Sequence, residues 1–422
     1  MIGAAFAPIA HAQPTVSATI IVGKAPYGIA YDPAKGEMFA VGYDADSVSV
    51  ISDASNQVVA TVNVGSSPAD IAYDSAKGEM FVSNTVSDSV SVISDISNSV
   101  VATVKVGADP RGVAYDPSLG EVFVATSPSS TSGAVYEISD SNNTVVGTIS
   151  VPGSATGIAY DSGKDELFVS TGSASVSVVS VSNGEIVASV TVPGLPRGIT
   201  YDPDNGNLYV SNYFTSANSV SVISDSSNTV VATVGVGPWP FYSTYDPASH
   251  EVYVGDSDSH NVTVIDADTN TVVDTLTAGE YPTATAYDSA LGEVFVTNFG
   301  INTVTVISGA GTTSTTSTSS SATPSTTSPS TSAVSSSTTS SPASTIASTS
   351  SSSSTIISSS SISTTVSSSS APVTSSSSST SSSSSSSSGS GGVPEFPYQL
   401  LTAAVFTFLL VTSYLVIRRR DR

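Results

Sequence analysis

Cysteine is absent from this chain, and histidine is nearly absent. Without cysteine the protein forms no disulfide framework and no thiolate metal site. Only His11, His250 and His260 are present among 422 residues. Because acid–base and metal-dependent catalysis rely most often on histidine, these absences count against most enzyme active sites. We therefore expect a protein that is not an enzyme.

Positively charged residues are scarce as well. Eleven Lys and Arg residues stand against 34 Asp and Glu residues, and four of the eleven lie in the last five residues. Residues 1–307 hold seven basic and 32 acidic residues, which gives them a net charge of −25. Such a surface repels nucleic acid. It suits cations or cationic partners, and it also serves solubility.

What the chain contains in abundance is one repeated unit, marked by a Tyr-Asp pair. The seven pairs are Tyr31-Asp32, Tyr73-Asp74, Tyr115-Asp116, Tyr160-Asp161, Tyr201-Asp202, Tyr245-Asp246 and Tyr287-Asp288. Successive pairs are 42, 42, 45, 41, 44 and 42 residues apart. A period of this length, filled with short β-type runs, is typical of a propeller or a similar array. Each unit must stack on its neighbours to bury its apolar face.

Each repeat contains four strand-like runs. In the second copy these are residues 70–74, 79–84, 89–94 and 100–106. β-branched residues dominate the runs, which alternate and are bounded by Gly, Asp, Asn and Pro, as strands and hairpin turns require. The sequence therefore predicts an all-β fold, a seven-bladed β-propeller with four-stranded blades.

The phase of the repeat predicts how the ring closes. Residues 16–22 match the fourth strand of a blade, yet no first three strands precede them. At the other end, residues 285–288, 293–298 and 303–308 supply three strands without a fourth. The N-terminal strand should therefore complete the last blade, which removes an open sheet edge.

The remaining segments indicate export and attachment to a membrane. We divide the chain into a signal peptide remnant (1–12), the propeller (13–308), a Ser/Thr-rich low-complexity stalk (309–392) and a C-terminal membrane anchor or sorting segment (393–422). The start is apolar and Ala10-His-Ala12 fits a cleavage site, but a positively charged beginning is missing, which suggests a start further upstream. The stalk is almost wholly Ser and Thr and cannot bury enough apolar surface to fold. Its composition is typical of an O-glycosylated stalk, with an unmodified flexible linker as the alternative.

The uncharged run from Tyr398 to Ile417 is expected to be a transmembrane helix. Its 20 residues would span about 30 Å as a helix, which matches a bilayer core, and a buried core helix is the weaker alternative. Four arginines follow it and belong on the cytoplasmic side. We expect a single-pass protein on the extracellular face of the cell membrane, with its N-terminus outside.

The repeats resemble the YVTN-type β-propellers of archaeal surface-layer and cell-surface proteins. The signature stands as Phe295-Val-Thr-Asn298, with the variants Tyr209-Val-Ser-Asn212 and Phe81-Val-Ser-Asn84. The resemblance covers residues 15–308 and implies a fold, because the same propeller carries several functions. Val393-Pro-Glu-Phe-Pro397 is also similar to archaeal sorting signals read by an archaeosortase, which would remove the helix. A plain membrane anchor is the simpler interpretation.

A binding site is expected where the repeat breaks, since a residue present in every blade serves the blade. The breaks cluster in the loops before each first strand, which should surround the central funnel. The second-to-third strand loop adds Tyr213 and Phe214. The candidate ligand-binding residues are Tyr27, Arg111, Arg197, Trp239, Phe241, Tyr242 and Tyr281. Aromatic residues with arginines suit contact with carbohydrate or protein, and the alternative is that they plug the channel.

Two further kinds of site are weaker. Asp256 and Asp258, near His260, could hold a cation such as calcium, but a full calcium-binding loop is missing and solvated acidic loops are the simpler interpretation. His250 and His260 should face opposite ends of the propeller and cannot act as a pair. Asn142 and Asn261 begin glycosylation sequons and are expected at the surface. No cofactor is expected, with calcium left open.

The sequence favours a cell-surface anchored propeller that acts as an envelope, surface-layer-like component or as an extracellular binding or adhesion module. Its expected partners are envelope proteins or glycans and, through the C-terminal helix, the membrane, but not nucleic acid. The alternative is an extracellular propeller enzyme of the lactonase, hydrolase or lyase type.

Removal of residues 13–22 tests the predicted ring closure. We expect the thermal unfolding midpoint to fall by at least about 10 °C, because the last blade loses its fourth strand. Circular dichroism measures this change. Removal of residues 2–12 is the matched control and should leave the midpoint unchanged, whereas equal midpoints in all three proteins would contradict the closure.

Overall fold

The computed structural model describes residues 14–213 and 217–309, which form 28 β-strands. The strands are β1 (Thr15–Ile21), β2 (Pro26–Asp32), β3 (Glu37–Gly42), β4 (Ser47–Ser52), β5 (Gln57–Asn63), β6 (Pro68–Asp74), β7 (Glu79–Asn84), β8 (Ser89–Ser94), β9 (Ser99–Lys105), β10 (Pro110–Asp116), β11 (Glu121–Thr126), β12 (Ser132–Ser139), β13 (Thr144–Pro152), β14 (Ala155–Asp161), β15 (Glu166–Thr171), β16 (Ser175–Ser180), β17 (Ile186–Thr191), β18 (Leu195–Asp202), β19 (Asn207–Tyr213), β20 (Ser219–Ser224), β21 (Thr229–Gly235), β22 (Pro240–Asp246), β23 (Glu251–Asp256), β24 (Asn261–Asp266), β25 (Thr271–Thr277), β26 (Pro282–Asp288), β27 (Glu293–Asn298) and β28 (Thr303–Ser308).

These strands form seven four-stranded antiparallel sheets, the blades of a propeller. Blades 1 to 6 each use four consecutive strands, beginning with β2, β6, β10, β14, β18 and β22. Blade 7 has the order β26-β27-β28-β1, so the N-terminal strand lies beside the last one. The register of this pair runs from Thr15 opposite Ser308 to Ile21 opposite Thr303. The predicted seven-bladed architecture is confirmed, and β1 closes the ring as the phase of the repeat predicts.

Several segments discussed above lie outside the described residues. They are the signal remnant, nearly all of the Ser/Thr-rich stalk, the apolar segment 398–417 and Phe214. Among residues 14–213 and 217–309, no helix is long and apolar enough to cross a membrane.

The apolar core lies between blades rather than within them. One cluster joins Phe81 and Val92 of blade 2 to Val122 and Ile138 of blade 3. Another joins Phe295 of blade 7 and residues of β1 to those of blade 1. The second strand of each blade is buried along nearly its whole length, because both of its faces meet a neighbouring sheet. A blade therefore reaches its stable environment only inside the ring.

The Tyr-Asp pair holds both its own turn and the neighbouring blade. All seven aspartates are fully buried, and Oδ1 of Asp32 accepts the backbone N–H of Ala34 at 2.8 Å, a bond repeated in every blade. The tyrosine lies next to the aspartate of the preceding blade, as Tyr73 does beside Asp32. Burial, and then this carboxylate, raises the pKa of the Tyr73 hydroxyl. The uniform residues are thus part of the scaffold.

A second contact between blades varies around the ring. Lys35, three residues after Asp32, donates to the backbone oxygen of Asp95 in blade 2 at 3.3 Å. Lys77 and Lys164 each make the same contact with the blade that follows their own. Lys77 donates to the backbone oxygen of Asp140 and Lys164 to that of Asp225, and each lysine also forms an ion pair with that aspartate. Where the lysine is missing between blades 3 and 4, the partner aspartate is missing too. The residues at those two positions are Leu119 and Val181.

The same aspartates explain where the turns need glycine. In blade 1 the turn residue Gly36 has φ 65°, and a Cβ on it would lie 2.7 Å from Oδ2 of Asp53. Blade 4 carries Asp165 at this turn position, and there the aspartate is replaced by Val181. In blade 6 the corresponding residues are His250 and Ala267. A side chain is accommodated at the turn only where the facing carboxylate is absent.

The junction between blades 7 and 1 has the aspartate of this contact but not the lysine. Leu291, which is 48% exposed, stands at the lysine position and faces Asp53 of blade 1. Burial, and the proximity of Asp288, raise the pKa of Asp53. We expect Leu291→Lys to add an ion pair and to stabilise the protein by about 0.2–1 kcal/mol, less at high salt.

Urea unfolding of the two proteins at low and high salt measures this gain. Leu119→Lys is the matched control, because its facing residue is Val181 and no gain is expected. Equal effects of the two substitutions would contradict the pairing.

Candidate functional site

The loops of the funnel face share one backbone design. In blades 1, 2, 3, 6 and 7 the residue before the loop proline is in the left-handed region, with φ between 51° and 57°. Its carbonyl accepts the N–H of the residue that follows the second strand, as in Ala25 with Tyr43 and Tyr281 with Phe299. Each first-strand loop is thereby fixed to a second-strand loop of the same blade. Residues on the two loops face the same end of the ring.

Two bulky residues occupy this left-handed position. Trp239 and Tyr281 have φ 57° and 54°, whereas blades 1, 2 and 3 place Ala25, Ser67 and Asp109 there. A left-handed conformation costs a residue with a Cβ roughly 1–2 kcal/mol. Strain of this kind is concentrated at functional sites. The two aromatic side chains are therefore held at the funnel mouth against a local backbone preference.

Tyr27 is the centre of a group of aromatic rings on one side of the funnel. Its ring centroid lies 5.7 Å from Tyr43, 5.3 Å from Phe241, 6.3 Å from Tyr242 and 6.2 Å from Phe299. Tyr27 belongs to blade 1 and Phe241 to blade 6, so their contact crosses over blade 7. The edge-to-face and tilted arrangements are those that aromatic pairs prefer.

The rings continue to blade 5, where an arginine covers them. Tyr213 lies 5.2 Å from Phe241 and 5.9 Å from Trp239. The guanidinium carbon of Arg197 is 5.1 Å from the Tyr213 centroid and 5.2 Å from that of Phe241. These are cation–π distances, with a contribution of about 0.5–2 kcal/mol each. We name as the aromatic cluster Tyr27, Tyr43, Tyr213, Trp239, Phe241, Tyr242 and Phe299.

The funnel mouth is asymmetric. The aromatic cluster comes entirely from blades 5, 6, 7 and 1. The equivalent positions on blades 2, 3 and 4, directly after the loop proline and after the second strand, hold smaller or polar side chains. They are Ala69, Thr85, Arg111, Ser127, Thr156 and Gly172. One half of the mouth is therefore aromatic and the other half polar.

The polar half carries two charged groups. Arg111 donates through Nε and a terminal nitrogen to Oδ2 of Asp109, at 3.0 and 2.9 Å. Asp70 accepts the backbone N–H of Val113 at 3.1 Å, and burial raises the pKa of this carboxyl to about 6. Burial also raises the pKa of Tyr27, which Arg197 and Arg111 partly offset. The positive charges of both guanidinium groups thus favour the ionised form of the same tyrosine, Tyr27.

Glycine in neighbouring blades makes room for the large channel residues. A Cβ on Gly198 would lie 2.8 Å from Cδ1 of Tyr242, and one on Gly28 would lie 2.9 Å from the Cα of Asp70. Tyr27 is held by blade 7, whose Thr297 and Thr283 hydroxyls donate to its carbonyl at 2.7 and 3.3 Å. The cluster therefore rests on rigid strand backbone.

The structure groups the candidate residues unevenly. It joins Tyr27, Arg197, Trp239, Phe241 and Tyr242 in one cluster, with Arg111 on the polar half. Tyr281 instead packs against His260, with ring centroids 5.2 Å apart, and its N–H donates to Nδ1 of that histidine at 3.1 Å.

Three residues of the site were missed by the sequence reasoning. Tyr43 and Phe299 follow the second strand, where blades 2, 3, 4 and 6 have Thr, Ser or Gly, and Asp70 occupies a position held by glycine in four blades. These departures from the repeat were a usable signal.

The structure places Asp256 and Asp258 in different environments. Asp256 is fully buried and its Oδ2 accepts the hydroxyl of Thr263, whereas Asp258 is exposed. Asp256 occupies the position of Asn298 in blade 7, whose amide donates to Thr305. In residues 14–213 and 217–309, no group of three or more His, Asp or Glu side chains is arranged to hold a metal ion.

The two sequons differ in their surroundings. Asn142 is exposed in a turn, and its Oδ1 accepts the Thr144 hydroxyl at 2.6 Å. Asn261 begins β24 and is only half-buried, but the hydroxyl-bearing Thr263 of its sequon is buried and bonded to Asp256. Asn142 is the better placed of the two for modification.

Comparison with known proteins supports the fold. The sequence matches no protein-family model and no curated protein. The structure is similar to a chain of hydrazine synthase from Kuenenia stuttgartiensis, with a TM-score of 0.62 and 19% sequence identity. The match covers 72% of this chain and 99% of that chain. At this identity the likeness shows the β-propeller fold alone.

Asp256 gives a prediction for the pH dependence of stability. Burial raises its pKa to about 7, above the ordinary value of about 4. The stability that the protonated carboxyl contributes is present below pH 4 and is lost as pH rises through 7. Asp256→Asn should remove this loss and stabilise the protein by roughly 2–4 kcal/mol above pH 7, with little gain at pH 4.

Urea unfolding of both proteins between pH 4 and 8 measures the difference. Asp258→Asn changes the same charge at an exposed site and should show no such pH-dependent gain. A gain for Asp256→Asn that is constant across this range would contradict the raised pKa.

Proposed function

We propose that the protein is an extracellular, membrane-anchored propeller that binds a component of the cell envelope at its funnel face. It would act as a surface-layer-like component or as an adhesion module. The observation that carries this proposal is the aromatic cluster with Arg197 across it. Aromatic residues and arginine are the residue types that contribute most to recognition surfaces.

The cluster is built for binding rather than for catalysis. Its rings pack against one another in edge-to-face and tilted contacts, so little side-chain freedom remains to be lost when a ligand docks. It lies on loops fixed to a rigid ring, an arrangement typical of binding sites. Tyr213, Trp239 and Tyr242 are half-buried and present part of their surface at the mouth.

The remaining parts of the chain supply attachment in this proposal. The Ser/Thr-rich stalk would hold the propeller away from the membrane, and the segment Tyr398 to Ile417 would anchor it or be exchanged for another anchor by a sorting enzyme. The similarity of the repeats to YVTN-type propellers supports a place on an archaeal cell surface. The acidic surface supports solubility outside the cell.

An enzyme of the lactonase, hydrolase or lyase type is the second candidate. The observation that favours it is Asp70, whose pKa of about 6 suits a general acid or base at the channel. Conversion of lactone substrates that is lost in Asp70→Asn would decide for this candidate.

Binding to surface glycans tests recognition. We expect the purified full-length protein to bind members of a glycan array, and Trp239→Ala and Arg197→Ala to weaken binding at least about tenfold by removing ring and cation contacts. Ile96→Ala is the control, because this residue is 82% exposed in a turn at the opposite face. Glycan binding unaffected by either funnel substitution would contradict the assignment of the site.

A further inference from the structure

Arginine is used at one place only in the propeller. In residues 1–417 the arginines are Arg111 and Arg197, and each directly follows a loop proline at the funnel. Four of the five lysines lie elsewhere: Lys35, Lys77 and Lys164 join blades at the opposite face, and Lys105 lies on an outer strand. Lys24 is on a funnel-face loop of blade 1, where it forms an ion pair with Asp44. A strongly acidic protein thus concentrates its guanidinium groups at the funnel.

Arg197 is held by aromatic rings and not by a carboxylate. Its guanidinium carbon lies 5.1 Å from the Tyr213 ring and 5.2 Å from the Phe241 ring, and among residues 14–213 and 217–309 it has no hydrogen-bond or ion-pair partner. Arg111, by contrast, is paired with Asp109 through two hydrogen bonds. A half-buried guanidinium with unused N–H groups is suited to a planar, two-oxygen acceptor such as a carboxylate.

The groups around Arg197 add both donors and an acceptor. The positive charges of Arg197 and Arg111 both lower the pKa of the Tyr27 and Tyr242 hydroxyls, but burial outweighs them. These hydroxyls stay protonated, since burial raises their pKa, and can donate to a ligand. Asp70, close to the same two tyrosines, is a carboxyl that can accept from a ligand hydroxyl. A ligand that carries both a carboxylate and hydroxyl groups satisfies this set.

We propose that the funnel binds an acidic saccharide, with the carboxylate of a uronic acid on Arg197 and the C–H face of a sugar ring against the aromatic cluster. The proposal rests on the recognition function above and names its ligand class. The aromatic half supplies the apolar surface that a sugar face needs, and the guanidinium supplies selectivity for the charged sugar.

Calorimetric titration of the full-length protein with a panel of uronic-acid oligosaccharides and their methyl esters tests the proposal. The esters keep the ring and the hydroxyls but lose the charge. We expect at least one acid to bind tenfold or more tightly than its ester, and this preference to shrink as salt is raised. Arg197→Ala should abolish the preference, and Arg197→Lys should lose most of it because an ammonium lacks the planar fork.

Lys105→Ala is the matched control, since it removes one positive charge from β9, the outer strand of blade 2, and should leave the preference intact. Thermal unfolding of each variant checks that it is folded. Equal binding of acid and ester, or a Trp239-dependent affinity for neutral sugars only, would overturn the acidic ligand while leaving recognition standing. Binding of polyglutamate in place of any saccharide would overturn the ligand class. Absence of all these affinities would overturn the acidic saccharide, while the glycan array with Trp239→Ala and Arg197→Ala tests the recognition function separately.

Discussion

In every blade a fully buried carboxylate needs partners from the protein, and the ring depends on where these partners come from. One oxygen of each aspartate holds its own hairpin turn, and the tyrosine of the next blade lies beside the same carboxylate. A buried charge is costly unless such partners surround it. Because the tyrosine comes from a different blade, the environment is complete only when neighbouring blades are assembled, which links the local turn to the global ring.

The lysine–aspartate contacts between blades, at the face opposite the funnel, differ from junction to junction. They help nearly identical repeats to pack in one order around the ring. Lysine and aspartate occur together across three junctions, and leucine and valine occur together across a fourth. Mispairing of blades would place a lysine opposite an apolar residue, or would leave more aspartates without a lysine than Asp53, which faces Leu291 at the native junction of blades 7 and 1. Each such pair contributes little stability on its own, but the set favours one arrangement of blades over others.

Much of this architecture could be predicted because the repeated sequence pattern shows where each blade begins and ends. The strand count, the turns and the closure by β1 all follow from local patterns and their phase. The funnel could be predicted only in part. Tyr27 and Phe241 meet across blade 7, where Thr283 leaves space, and such a contact depends on the curvature of the ring rather than on any single repeat. Asp256 is a weak candidate for a cation ligand in the sequence. In the structure it is buried beside Thr263, at the position that Asn84, Asn212 and Asn298 hold in blades 2, 5 and 7.

The pairing of Thr15 with Ser308 also determines how the propeller carries mechanical load. Ser308 lies at the face opposite the funnel, because it pairs with Glu293 at the turn end of blade 7. A pull at Ser308 away from the funnel face therefore runs along β28, which has β27 on one side and β1 on the other. Force in this direction shears two rows of hydrogen bonds together instead of opening them one by one. The strand that closes the ring thus also reinforces the point at which tension enters it.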